Sequence, residues 1–105
     1  MKPVCLVLGA GAGIGGTVAA KFAREGYHSC LCRRSDQEGL DRLVKGIEDE
    51  GGSANGYLIN AIEENVLEEL ITKVESEVGP IEVVVYNLGA QTGMKLLDKT
   101  SLKEY

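Results

Sequence analysis

Gly9-Ala10-Gly11-Ala12-Gly13-Ile14-Gly15-Gly16 separates two stretches of opposite character, and that contrast decides the fold. Before it, Pro3 to Leu8 is a short apolar run without period, the pattern of a strand covered on both faces, ending at Gly9. After it, Ile14, Val18 and Phe22, with Ala19 and Ala23 beside them, fall on one helical stripe that Gly26 closes. Between a strand and a helix, glycine has physical purposes. A missing Cβ permits positive φ in a tight turn and lets the backbone approach a bulky ligand. It also lets the helix begin close to the strand, where free N–H groups and the helix dipole favour negative charge.

The same alternation continues along the chain. Ser29 to Cys32 is a second apolar run, followed by Arg33 and Arg34. Leu40, Leu43, Val44 and Ile47 then sit at i, i+3, i+4 and i+7, with Ser35 or Asp36 as N-cap and Gly51-Gly52 as the stop. Ala54 to Ile59 is a weaker strand, because Asn55 and Gly56 suit an edge better than a centre. Val66, Leu67, Leu70, Ile71, Val74 and Val78 form a third helical stripe that Gly79-Pro80 terminates. Ile81 to Tyr86 contains Val83-Val84-Val85, the most strongly β-prone run and so a central buried strand. A glycine-containing loop, Asn87 to Gly93, follows, and Asp98 to Tyr105 reads as the first turns of another helix.

Strands alternating with helices predict an α/β fold, a doubly wound parallel sheet of Rossmann-like type, because parallel neighbours need a helix to carry the chain back. With strand one central, the spatial order is 3-2-1-4. The ligand crevice then lies at the carboxyl ends beside strand one. Three loops meet there: 9–15, 33–36 and 87–93.

Composition bounds what such a domain does. The chain of 105 residues forms a single domain with one core, and 16 acidic against 11 basic side chains, net charge −5, leave no excess of cations for sequence-blind nucleic-acid binding. Cys5, Cys30 and Cys32 are an odd set among aliphatic neighbours, and His28 is the only histidine; they read as buried thiols of a reducing compartment, not as a metal set. With no charged leader, no cleavage signal and no long apolar stretch, a cytoplasmic location is expected and no membrane partner.

Two glycine registers compete. Gly11-x-Gly13-x-x-Gly16 matches the general dinucleotide fingerprint, whereas Gly9-x-x-x-Gly13-x-Gly15 puts the first glycine at the strand end where the turn must begin, and fits better. That register, with Ile14 inside it, resembles the short-chain dehydrogenase/reductase family, although Leu8 replaces the threonine that usually precedes it. Tyr86-Asn87-Leu88-Gly89 is similar to the family's Asn-Asn-Ala-Gly segment, with Asn87 and Gly89 kept and Tyr86 in place of the first asparagine. The resemblance implies that Gly9, Gly11, Gly13, Ile14 and Gly15 line the cofactor's pyrophosphate and that Asn87 and Gly89 line the cofactor site. It also implies that Asn60 stands where the family has an aspartate at the adenine ring. An amide there still accepts a hydrogen bond, without charge.

The end of strand two selects the dinucleotide. An acidic residue there would accept from the ribose 2′-hydroxyl of NAD, while arginine meets the 2′-phosphate of NADP. Arg33 and Arg34 occupy the position, so NADP is favoured and NAD stays possible. The bland alternative makes both arginines solvated loop charges pairing with Asp36 or Glu38.

The resemblance also exposes a gap. The family's reductions use a tyrosine with a lysine four residues later, because a nearby ammonium lowers the phenol's pKa toward the working pH. Here the residues four after Tyr27, Tyr57 and Tyr86 are Leu31, Ala61 and Ala90, and Tyr105 is last, so no Tyr-x-x-x-Lys occurs and no catalytic residue is assigned. Two readings follow: the cofactor-binding half of a short-chain reductase, catalytically incomplete as given, or a nucleotide-binding or interaction module that has lost the chemistry. An independent enzyme built on His28 or Cys5 has little support, since one begins strand two away from the crevice and the other lies inside a strand. If the chain stops short of the family's next parallel strand, Ile81 to Tyr86 is a free edge, and a homodimer pairing these strands is expected.

Overall fold

The computed structural model describes residues 2–9, 14–59, 64–87 and 94–97. Along the chain run β1 (Val4–Leu8), α1 (Ile14–Arg24), β2 (His28–Arg33), α2 (Gln37–Asp49), β3 (Ser53–Leu58), α3 (Glu64–Glu77), β4 (Ile81–Asn87) and β5 (Met94–Leu97). The strands form one sheet in the order β3-β2-β1-β4-β5. The first four are mutually parallel, in the expected order 3-2-1-4.

Burial explains the central position of β1. All five of its residues are inaccessible or nearly so, Leu8 being the most exposed at 2%, as required of a strand with neighbours on both edges and helices on both faces. On one face Cys5, Val7, Leu31 and Val85 pack against Ala19 and Ala23 of α1 and Leu40 and Ile47 of α2. On the other, Val4, Leu6, Leu8, Cys30, Cys32 and Val84 pack against Leu70, Ile71 and Val74 of α3. Two helices on one face and a third on the other make the sheet doubly wound.

Strand β3 is an edge strand, as its composition suggests, and both of its weak strand residues have a local cause. A Cβ on Gly56 would stand 2.8 Å from Leu40 Cγ, so the absent side chain is what lets α2 settle onto the sheet. Asn55 reaches the neighbouring strand, its Oδ1 lying 2.6 Å from His28 Nε2, while His28 Nδ1 lies 2.9 Å from Ser53 Oγ. The histidine is thus a tie between the amino ends of β2 and β3.

The structure corrects the expected free edge of β4. Met94–Leu97 forms a short antiparallel strand on it, pairing Val84 with Leu97, Val85 with Leu96, Tyr86 with Lys95 and Asn87 with Met94. Since this stretch of edge already has its partner in the same chain, the dimer predicted through 81–86 loses its premise over Val84 to Tyr86. The helix expected over 98–105 and the loop 88–93 lie outside the described residues.

Candidate functional site

The carboxyl ends of β1, β2 and β4 come together where the strand order reverses: the chain leaves β1 for β2 on one side, and β4 lies against β1 on the other. At the end of β1 the backbone turns at Gly9, whose φ is 86°, with its N–H donating to the Cys32 carbonyl at 3.0 Å. A left-handed φ at a strand end is a turn that an L side chain resists. Five residues later α1 begins at Ile14, and Gly15 and Gly16 are buried in its first turn. That turn carries no acidic side chain, so no carboxylate of α1 neutralises the positive end of the helix dipole.

At the end of β2, Arg33 is only 20% exposed at its side chain, and its Nη2 lies 3.4 Å from Asp36 Oδ2. Asp36 is itself a structural corner. It takes φ 70° and ψ 70°, and its Oδ1 caps α2 by accepting from the Gly39 N–H at 3.0 Å. A Cβ at Gly39 would collide with Arg33 Nη1 and Asp36 Oδ2 together, so this glycine is what allows the ion pair to lie over the first turn of α2. The Arg33 carbonyl accepts from the Ile59 N–H at 2.8 Å, which fixes the backbone at the corner. Arg34 is exposed and engages no partner among the described residues. The alternative of loop charges is met in part by each: Arg34 is a solvated charge, and Arg33 makes the pair with Asp36 that this alternative named, although its side chain is largely buried. Sequence reasoning named Asp36 as a cap and a possible partner, but missed its double use and missed Gly39. The available signal was an aspartate three residues after the arginine, with a glycine three residues beyond it.

Of the other predicted residues, Asn87 closes β4, its backbone paired with Met94. Gly11, Gly13, Asn60 and Gly89 lie outside the described residues. The cysteines are buried and free. Burial pushes the Cys5 thiol up to about 12 and that of Cys30 up to about 11, and raises that of Cys32 as well, so at neutral pH they are protonated and poor nucleophiles. Among the described residues no group of His, Cys, Asp and Glu is placed to hold a metal ion. A shallow depression on the outer face of α3 is lined by Glu68, Glu69, Thr72, Lys73 and Glu77, a carboxylate-rich surface that would repel a polyphosphate. No described helix is long and apolar enough to cross a membrane.

Comparison with known proteins gives this geometry a context. The family model described as short chain dehydrogenase matches residues 3–105. Among curated proteins, the chain is 36% identical over 86 residues to a 3-oxoacyl-[acyl-carrier-protein] reductase of Thermotoga maritima, covering 82% of this chain and 35% of that protein. It is 30% identical over 95 residues to a 2-dehydro-3-deoxy-D-gluconate 5-dehydrogenase of Formosa agariphila, covering 90% and 36%. Among solved structures, an actinorhodin polyketide ketoreductase variant with NADPH superposes with a TM-score of 0.76 at 32% identity, over 85% of this chain and 34% of that one. A metagenomic short-chain oxidoreductase in complex with NADP gives 0.72 at 28% identity, over 78% and 37%. The chain thus spans little more than a third of the length of the curated relatives it matches.

Proposed function

Because this chain belongs to the short-chain dehydrogenase family, we propose that it binds a nicotinamide dinucleotide across the carboxyl ends of β1, β2 and β4, with NADP preferred over NAD. The observation that carries the reading is the corner at Gly9: a left-handed glycine at the end of the central strand, pinned by its N–H to Cys32, at the one place where the sheet's order reverses. The described residues of the crevice, the left-handed Gly9 and a first turn of α1 without a carboxylate, suit an anionic group. In this reading Gly9, Gly11, Gly13, Ile14 and Gly15 let backbone N–H groups reach the pyrophosphate, and the uncompensated first turn of α1 supplies positive potential. Arg33 supplies a planar donor fork for the 2′-phosphate, Arg34 adds charge at the rim, and Asn60, Asn87 and Gly89 border the adenine and ribose.

A bound nicotinamide would supply the hydride; this chain's own residues bind and orient. No Tyr-x-x-x-Lys pair is present among its 105 residues, so the activity proposed for the chain by itself is cofactor binding, and reduction of a carbonyl belongs to the reading only together with an acid/base pair from elsewhere. Three buried free thiols support a reducing, cytoplasmic setting. In this reading the chain self-associates through a surface other than the paired part of β4, the outer edge of β3, where Leu58 is 44% exposed.

The test is a titration of NADPH and of NADH against the wild type and Arg33→Ala. Removing a charge-assisted bond worth about 1.5–3 kcal/mol weakens NADPH by roughly ten- to a hundredfold and leaves NADH unchanged. Equal wild-type affinities for the two dinucleotides remove the case for NADP, and binding of neither removes the reading.

A further inference from the structure

The tie between the amino ends of β2 and β3 has a definite polarity. Ser53 stands directly opposite His28 in the ladder, and Asn55, two residues on, shares its face of the sheet. An amide oxygen only accepts, so the neutral His28 ring carries its proton on Nε2 and donates it to Asn55 Oδ1 at 2.6 Å. That tautomer leaves a lone pair on Nδ1. The group 2.9 Å from it is the Ser53 hydroxyl, which is then the donor. Lys2, just before β1, donates from Nζ to the same Oγ at 3.3 Å. Among the described residues Lys2 forms no ion pair with a carboxylate, so its charge acts on that oxygen. His28 and Ser53 are half-buried while Lys2 and Asn55 are exposed, which holds the hydroxyl in place and still leaves it within reach of solvent.

A hydroxyl bonded to a base, with that base oriented by a third group, is the arrangement that activates a serine. We propose that Ser53 is a nucleophile toward acyl donors with a good leaving group, aryl esters or thioesters, which acylate its Oγ. In this step Ser53 Oγ forms a bond to the acyl carbon while its proton passes to His28 Nδ1. The bond from that carbon to the leaving oxygen or sulfur then breaks, and the proton departs with the leaving group. The products are an ester on Ser53 and a free phenol or thiol. Asn55 fixes the tautomer, and the Lys2 ammonium favours the negative charge that develops beside it. The cluster lies at the amino ends of the strands, at the far end of the sheet from the crevice, and its chemistry does not depend on dinucleotide binding.

Incubating the whole chain with 4-nitrophenyl acetate tests the proposal. The wild type is expected to release 4-nitrophenolate and to gain an acetyl group that mass spectrometry places on Ser53 and hydroxylamine removes. Hydroxylamine cleaves a serine ester and spares a lysine amide, so acetylation of Lys2 is told apart. Ser53→Ala loses the labile group, and His28→Gln slows its formation by about a hundredfold, the lower end of what a positioned base supplies. A wild type that gains no labile group overturns the proposal, as does a labile group that persists in Ser53→Ala or forms at the wild-type rate in His28→Gln. Should His28→Gln not fold, Asn55→Ala replaces it, because Asn55 is exposed on the edge strand. Losing the bond that sets the tautomer slows acetylation roughly five- to tenfold, and an unchanged rate is equally decisive against the proposal.

Discussion

Replacing Gly9 by alanine probes the corner on which the site is built. Gly9 holds φ at 86°, and its N–H donates to the Cys32 carbonyl at 3.0 Å. Alanine has two ways to respond. It keeps the left-handed backbone, at a cost of about 1–2 kcal/mol, or it rotates to negative φ and gives up the bond to Cys32, worth about 0.5–1.5 kcal/mol net, besides re-aiming the loop. Each route costs on the order of 1–2 kcal/mol, which for a domain near 100 residues lowers the melting temperature by roughly 5–15 °C. Gly9→Asn is the control, since asparagine visits the left-handed region more readily and recovers part of the loss. Circular dichroism melts of the three proteins, with and without NADPH, provide the assay. In this account the alanine variant melts lowest and gains least from NADPH, and asparagine falls between it and the wild type. An alanine variant that melts within about 1 °C of the wild type and is stabilised equally by the dinucleotide would refute the reasoning, because neither route leaves both stability and site intact.

Two further outcomes follow from burial and pairing. The thiols of Cys5 and Cys30 are raised by burial to about 12 and about 11 from a starting value of 9.0, so the folded chain keeps protons that the unfolded chain loses. Stability is then unaffected by these groups below about pH 8 and falls as pH rises from about 9 toward 12, while alkylation at pH 8 waits on unfolding; denaturant melts across pH 7–10.5 that show no alkaline decline would contradict this. Because alternate residues of a strand point their N–H groups toward the neighbour, proline at one of Lys95 and Leu96 must break the β5 ladder. That variant should expose the edge of β4, speed amide exchange over Val84 to Asn87 and self-associate in sedimentation at tens of micromolar; two variants indistinguishable from the wild type would show that β5 does not protect the edge.

The strands and helices were legible because their signals are local. A run such as Val83-Val84-Val85 admits few conformations, and the stripes of α1, α2 and α3 each end at glycine. Burial of Cys5, Cys30 and Cys32 followed from aliphatic neighbours, and the edge position of β3 from Asn55 and Gly56. Reasons for those two residues were not legible, since they depend on His28 and Leu40 arriving from other elements. Strand β5 was missed for the same kind of reason. Met-Lys-Leu-Leu has no alternation and good helix propensity, and it becomes a strand because β4 offers a ladder beside it. At the site, sequence placed Gly9 and Arg33 at the right strand ends. It could not tell that Arg33 is committed to Asp36, because that depends on the left-handed turn at Asp36 and on the space at Gly39.

The central claim is that a dinucleotide lies across the carboxyl ends of β1 and β2, and amide NMR tests it without requiring turnover. Titrating NADPH into the isotopically labelled chain should shift the Gly9, Gly15, Arg33 and Arg34 amides saturably, while Ser53 and Gly79, at the opposite end of the sheet, stay still. Saturable shifts confined to the amino ends of the strands or to the outer face of α3, or no shifts at millimolar NADPH, would contradict the account.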